Sequence, residues 1–332
     1  MSTQNSMIGR HLLTLNDLSD DDFRHLLDLS SELKAFKKRG ERGQRLAGKH
    51  IALIFEKMST RTRCAASVAI ADEGGRAEYL SAREMHLGKK ESPADTARVL
   101  GRMFDGILFR GFAQRTVELL AEYSGVPVWN GLTDDAHPTQ SLADLFTFKE
   151  SFGSLAGLKV AYVGDGRNNV ANSLMLGCAK SGVHFVNCTP PELTPDAGIV
   201  ESSRVLAERN ACTVDVVNDP VAGVVGANVI YTDVWVSMGE EDKQAERIAL
   251  LKPYQVNMPL MQATGNLESD RAIFLHCLPA FHDRNTEMTA DSGALEVTDD
   301  VFEAPFSKVF DQAENRMHTI KAMLVASIGV KA

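Results

Sequence analysis

The chain has 332 residues, with 44 Asp and Glu against 35 Lys and Arg, a net charge of −9. That length exceeds one ordinary hydrophobic core and predicts two α/β domains, while the acidic balance excludes nucleic acid or an anionic membrane as a general partner. Five cysteines without CxxC spacing exclude a disulfide framework and point to a reducing compartment; no stretch approaches the ~20 apolar residues of a membrane span, so a cytoplasmic protein is expected.

Residues 16–40 form the first predicted helix. Ser19 is placed to cap it, Asp20, Asp21 and Asp22 suit the positive end of its dipole, and Lys34, Lys37, Lys38 and Arg39 suit the other end before Gly40. Phe23, Leu26, Leu27, Leu29, Leu33 and Phe36 supply its apolar stripe. The apolar run 51–55 predicts a strand, and Ser59-Thr60-Arg61-Thr62-Arg63 then opens a helix-favouring segment at 64–70. A helix start leaves its first N–H groups unpaired with the positive dipole end behind them; here three hydroxyls and two forked guanidinium groups join the same turn. An N-cap followed by two solvated arginines is the simpler use of one such triplet, but two anion-binding devices in one turn predict a phosphate site.

A short strand at 77–80 precedes a loop with His86, Lys89 and Lys90, which reads as a solvated turn or as a second anion contact, and a helix is predicted at 95–103. The apolar strand 106–110 ends in Arg110, at the carboxyl end where open α/β sheets collect ligands; a surface turn is the alternative. Strand 126–130 leads to a helix that Pro138 starts and that runs through Phe148, with His137 and Gln140 three apart at its entrance as a donor and acceptor pair. Gly153 and Gly157 interrupt the pattern and predict a domain boundary at 151–158.

A second α/β series begins with strand 159–163, the run Gly164-Asp165-Gly166-Arg167-Asn168-Asn169 and a helix at 170–180. The Gly-x-Gly spacing fails as a dinucleotide fingerprint, since Asn169 takes the third glycine position and strand 183–187 ends without a ribose-binding carboxylate. Asn169 is left as an exposed amide at a strand end. A strand from 228 leads to Asp233 and a loop with Ser237 and Met238; the carboxylate suits a ligand ammonium or, more simply, caps its loop. Strand 272–276 runs into His276-Cys277-Leu278-Pro279. Singly, His276 reads as a buried imidazole and Cys277 as a small core residue, two donors are too few for zinc, and the Leu-Pro step is expected to be extended with its carbonyl accessible. The helix 311–326 carries Arg316, which an amphipathic terminal helix would ordinarily expose.

These groups fall at strand ends in both halves, predicting an α/β fold of two doubly wound domains, each with a central parallel sheet, and an active site in the interdomain cleft. The expected division is 1–150 for phosphate binding, 151–310 for the second substrate, and 311–332 as a terminal helix returning to the first domain. Cations and hydroxyls in the first half suit a phosphate, and Asn169, Asp233 and Ser237 suit a zwitterionic amino acid, which together predict group transfer from a phosphorylated donor to an amine.

Five motifs in order then carry a resemblance: Ser-Thr-Arg-Thr-Arg at 59–63, Phe-Arg-Gly at 109–111, His-Pro-Thr-Gln at 137–140, Asp-Val-Trp-Val-Ser-Met-Gly at 233–239 and His-Cys-Leu-Pro at 276–279. Over nearly its full length the chain resembles the aspartate/ornithine carbamoyltransferase family, and its second-half motifs resemble the ornithine-specific branch, since aspartate enzymes typically read His-Pro-Leu-Pro at the last motif. The resemblance implies transfer of a carbamoyl group from carbamoyl phosphate to L-ornithine, giving L-citrulline and phosphate, without metal or cofactor. It implies that Ser59, Thr60, Arg61, Thr62 and Arg110 hold the phosphate, that Arg110, His137 and Thr62 donate to the carbonyl oxygen, and that Gln140 and the Cys277-Leu278 backbone hold the carbamoyl amide, with Arg316 closing the site. Asn169, Asp233, Ser237 and Met238 match ornithine-binding positions, and Asp233 and Cys277 lie by the attacking amine. Asp233 and the Ser237-Met238 pair argue against a diamine acceptor, which has no amino-acid head to hold. Lys90 matches the family pattern, whereas His86 stands where a glutamine commonly reaches a neighbouring subunit's site in a trimer. A trimer-based homo-oligomer is implied, in arginine biosynthesis, although the residues do not separate that direction from the catabolic reverse.

Overall fold

A computed structural model describes residues 7–236 and 243–328. Contacts divide the chain into two units, Met1–Phe146 with Glu314–Ala332, and Thr147–Ala313. Among the described residues no helix is long and apolar enough to cross a membrane.

The first unit opens with α1 (Asp20–Lys38). Ser19 Oγ accepts from the Asp22 N–H, and the Asp22 carboxylate accepts from the Ser19 N–H at 2.9 Å, a reciprocal cap that fixes the start. Residues 15–17 form a separate 3-10 turn, so the helix begins later than expected. Phe23, Leu26, Leu27 and Leu33 are buried, while Leu29 and Phe36 are half-buried. There follow β1 (His50–Phe55), α2 (Thr60–Asp72), β2 (Arg76–Ser81), α3 (Pro93–Leu100), β3 (Gly106–Arg110), α4 (Gln114–Ser124), β4 (Val128–Leu132) and α5 (Pro138–Phe152). The four strands are parallel in the order β2-β1-β3-β4. Residues 51–55 and 106–110 are buried throughout, as a sheet covered by helices on both faces requires. Ile54, Ile107, Phe109, Val117, Leu120 and Val128 pack into one core. The β3–β4 register shifts between Phe109, opposite Asn130, and Arg110, opposite Leu132. Gly131 is thus a bulge residue, and it turns the strand end beside Arg110.

The second unit holds β5 (Lys159–Val163), α6 (Asn169–Lys180), β6 (His184–Cys188), α7 (Ala197–Arg209), β7 (Val214–Val217), α8 (Pro220–Val224), β8 (Val229–Thr232), α9 (Gln244–Leu251), α10 (Met258–Ala263), β9 (Ile273–His276) and α11 (Asp299–Phe302). Its strands are parallel in the order β7-β6-β5-β8-β9. Val163, Ile230, Val256, Met261 and Phe274 lie in its main core. The last helix, α12 (Val309–Ile328), starts in this unit and belongs to the first from Glu314 onward.

Each sheet reverses its winding once, between β1 and β3 and between β5 and β8. Helices leave on opposite faces there, and the carboxyl ends diverge into a crevice that is the usual ligand position of such folds. The 59–63 turn and Arg110 lie at the first reversal. Asn168, Asn169 and Asp233 lie at the second.

Candidate active site

In the first unit the site is organised on Thr62, a fully buried hydroxyl. Ser59, extended at φ −162°, caps α2: its Oγ accepts from the Thr62 N–H at 3.2 Å and lies 3.2 Å from Thr62 Oγ1. Arg110 Nη1 donates to Thr62 Oγ1 at 3.4 Å, and Arg316 Nη2 donates to the same oxygen and lies 3.1 Å from His137 Nε2. Thr60 is exposed and Arg61 half-buried at the same helix start. Arg63 is turned elsewhere, its guanidinium 3.8 Å from the centre of the Tyr79 ring.

Arg316, which an amphipathic terminal helix would ordinarily expose, is buried, with only 4% of it accessible. Its α12 face packs into the first unit through Lys34 Nζ, which donates to Asn315 Oδ1 at 2.7 Å, and Lys321 Nζ, which donates to Asp72 at 2.7 Å. Burial, followed by the positive charges of Arg316, Arg110 and Arg61, holds His137 well below the usual histidine range. The imidazole is therefore neutral, with Nε2 accepting from Arg316. Gln140 is buried, its amide nitrogen donating to Asp144 Oδ1 at 2.8 Å while its carbonyl oxygen has no hydrogen-bond partner among the described residues. A buried amide oxygen in that state is an acceptor suited to an N–H ligand. His86 and Lys90 are exposed on a tight turn in which the His86 carbonyl accepts from the Lys90 N–H at 3.0 Å.

In the second unit the organising group is Asp233. Its Oδ1 accepts from Cys277 Sγ at 2.9 Å and from the Val234 N–H at 2.8 Å, and its Oδ2 accepts from Asn168 Nδ2 at 3.0 Å. Burial raises its carboxyl above the usual range, opposed by the His276 charge interaction and by the Cys277 and Val234 donors. Asn168 also caps α6, so it is Asn168 whose amide reaches the carboxylate, with Asn169 half-buried at the first helical position. Only Asn169 was expected; the pair Asn168-Asn169 after a strand was the available signal. Ser237 and Met238 lie outside the described residues.

The His276-to-Pro279 segment departs from the extended form expected of it. Leu278 has φ +58° and its bond to Pro279 is cis. The Leu278 N–H donates to His276 Nδ1 at 2.9 Å, two residues back, which closes a compact turn. His276 Nε2 lies 3.2 Å from Glu296 Oε1, and that oxygen also accepts from the Phe281 N–H at 2.6 Å. Ligand atoms of Asp233, His276 and Cys277 lie within 4.8 Å of one another, a donor set a soft metal would accept. Both imidazole nitrogens and Asp233 Oδ1 are already satisfied by protein partners, so the cluster needs no ion to be stable.

Residues 10–150 match the sequence model of the aspartate/ornithine carbamoyltransferase carbamoyl-P binding domain, and residues 156–327 match that of the Asp/Orn binding domain. The chain belongs to the aspartate/ornithine carbamoyltransferase family. Among carbamoyltransferases it is 57% identical to a catabolic ornithine carbamoyltransferase of Bacillus licheniformis, over 97% of each chain. An ornithine carbamoyltransferase of Streptococcus pyogenes is 55% identical over 97% of this chain and 96% of its own. Of solved carbamoyltransferase structures, the ornithine enzyme of Pyrococcus furiosus superposes with a TM-score of 0.90 at 42% identity, covering 98% of this chain and 99% of that one. The word catabolic in the first relative's name does not agree with the biosynthetic setting expected from sequence.

Proposed function

We propose that this protein transfers the carbamoyl group of carbamoyl phosphate to the side-chain amine of L-ornithine, giving L-citrulline and phosphate. The observation that carries the reading is the convergence of Ser59, Arg110 and Arg316 on Thr62 beside neutral His137, at a helix start on a sheet reversal. Such a cluster suits a dianion with a polarisable carbonyl attached. Ser59, Thr60, Arg61, Thr62 and Arg110 hold the phosphate, with His86 and Lys90 as further donors. Arg110, Thr62 and His137 face the carbonyl oxygen, and Gln140 with the Cys277-Leu278 backbone holds the carbamoyl amide. His137 donates once Arg316 turns to the ligand and the imidazole proton sits on Nε2.

The neutral amine forms a bond to the carbonyl carbon, negative charge grows on the carbonyl oxygen, the carbon–oxygen bond to phosphate breaks, and the amine proton leaves to the departing phosphate or solvent. Fixed donors at that oxygen and orientation of the two reactants can each contribute several kcal/mol, about 3 or more for one donor. Asn169, Asp233, Ser237 and Met238 hold the amino acid, and Asp233 and Cys277 place its amine. The name of the Bacillus relative supports arginine catabolism as the setting, the same bonds being made and broken in reverse. A trimer-based homo-oligomer in the cytoplasm completes the proposal.

The test is steady-state assay of purified protein with carbamoyl phosphate and ornithine, putrescine or aspartate as acceptor. Citrulline formation with ornithine, and turnover with the other two lower by at least about a hundredfold, is expected from an acceptor site built for an amino-acid head. Carbamoyl phosphate binding without turnover on any acceptor would instead mark a metabolite-binding protein.

A further inference from the structure

Glu56 was absent from the residues expected to act, and its surroundings give it a task that rests on the transfer proposed above. It is the first residue after β1 and lies beside the end of β3. In a parallel pair in which Phe55 stands opposite Arg110, the next rung is formed by two bonds: the Glu56 N–H to the Arg110 carbonyl, and the Phe112 N–H to the Glu56 carbonyl. The first is present at 2.8 Å. The second has changed partner, since the Phe112 N–H donates at 3.0 Å to Glu56 Oε2, the side-chain carboxylate. The main chain of β1 is thereby released to enter the 57–59 segment and the phosphate turn, while its side chain remains to terminate β3.

The neighbourhood is built around that exchange. A Cβ on Gly111 would approach Glu56 Oε2 closer than 3.0 Å, so the glycine between Arg110 and Phe112 makes room for the carboxylate. On the other flank of β3 the register is broken by the Gly131 bulge, past which the Gly111 N–H donates to the Leu132 carbonyl at 2.9 Å. The Phe112 carbonyl accepts from the Asp134 N–H at 2.8 Å, Asp134 is paired with Lys57, and the Lys57 ammonium lies 4.5 Å from the centre of the Phe112 ring. Glu56 thus grips both sides of Gly111, by its own N–H to the Arg110 carbonyl before it and by its carboxylate, which accepts from the Phe112 N–H, after it.

We propose that Glu56 is a positioning residue for carbamoyl transfer: its carboxylate replaces the lost main-chain acceptor, so that the 59–63 turn and Arg110 keep one fixed spacing around the phosphate. The group required is an acceptor oxygen at that point and not a negative charge. Kinetics of Glu56→Gln, Glu56→Met and Glu56→Ala test this, read as KM for carbamoyl phosphate, KM for ornithine, kcat, and inhibition by inorganic phosphate. Gln, which keeps the acceptor, is expected within about threefold of the unsubstituted protein. Met and Ala are expected to lose roughly a hundredfold in kcat/KM for carbamoyl phosphate, the scale of a 1 Å misplacement, with phosphate inhibition weakened in parallel and the ornithine KM little changed.

If Met and Ala lower the melting temperature but leave these constants intact, Glu56 is merely structural and the inference is wrong. If all three variants bind carbamoyl phosphate and phosphate more tightly, the charge acts by repulsion and the inference is wrong again. Met fills the half-buried space, so at least one acceptor-free variant remains available should Ala fail to fold. Citrulline formation by the unsubstituted protein is measured first, which separates failure of this inference from failure of the transfer reading.

Discussion

At the reversal of the first sheet, groups that donate or carry positive charge crowd onto Thr62, whereas at the second a single carboxylate, Asp233, is enclosed by donors that satisfy it. The two arrangements differ in what a ligand must do. Burial, and after it the like charges of Arg316, Arg110 and Arg61, keep His137 neutral, so a dianion joining these cations relieves repulsion as well as making bonds. An ammonium meeting Asp233 must compete with Cys277 and Asn168, which already occupy its oxygens. Binding strength is therefore expected from the first cluster and discrimination between amines from the second.

The largest test of this contrast is Arg110→Ala. Loss of a guanidinium proposed to serve both phosphate and carbonyl oxygen should lower kcat/KM for carbamoyl phosphate about a thousandfold, with the ornithine KM within about threefold. A change confined to ornithine would reverse the assignment. Next is Asp233→Asn, expected to reduce turnover roughly a hundredfold through misplacement of the amine, yet to raise stability by about 1 kcal/mol at pH 7.5 by relieving a buried charge. The sign follows from the raised carboxyl: the folded state binds a proton more readily than the unfolded one, so a penalty appears as pH rises through the raised value. Melting curves at pH 7.5 and at pH 4 check it, the gain shrinking at the lower pH. If Asn is less stable at pH 7.5, the carboxylate is better satisfied than its burial implies.

The smallest effect concerns histidines of the first unit. Burial, opposed by the Glu314 hydrogen bond, lowers His318 to about 4. The unfolded chain binds this proton near pH 6.5, so the stability contribution is complete above that pH and is lost as pH falls toward 4. His137, depressed by burial and by three cations, adds the same sign. Urea unfolding at pH 7 and pH 5 should show the loss, and His318→Phe should remove about 2 kcal/mol of it, one and a half pH units at 1.36 kcal/mol each. An unchanged slope would mean that His318 is protonated in the fold.

Much of this was legible in the chain because the signals are local. The Ser19 cap, the apolar runs of β1 and β3, and Pro138 at the start of α5 depend on neighbours within a few residues, as does the Ser59 cap that presents the phosphate turn. What escaped depends on distant partners. Burial of Arg316 needs Lys34 and Asp72, hundreds of positions away along the chain. Leu278 leaves the extended region because the His276 ring offers an acceptor, which the rule for residues before proline does not include. The Gly131 bulge and the Glu56 side-chain rung are properties of strand pairs. Asn168 and Asn169 are equivalent amides in the sequence, and only the folded loop shows that Asn168 reaches Asp233.

The path of α12 also bears on how the protein is made. The first unit needs both ends of the chain, whereas Thr147–Ala313 is one uninterrupted segment. Ribosomal synthesis therefore delivers everything the later-made unit requires while the earlier-made one still lacks Arg316 and the helix beneath it. At ordinary elongation rates that interval lasts roughly ten to forty seconds. During it the nascent amino-terminal unit keeps uncovered the surface that α12 will close.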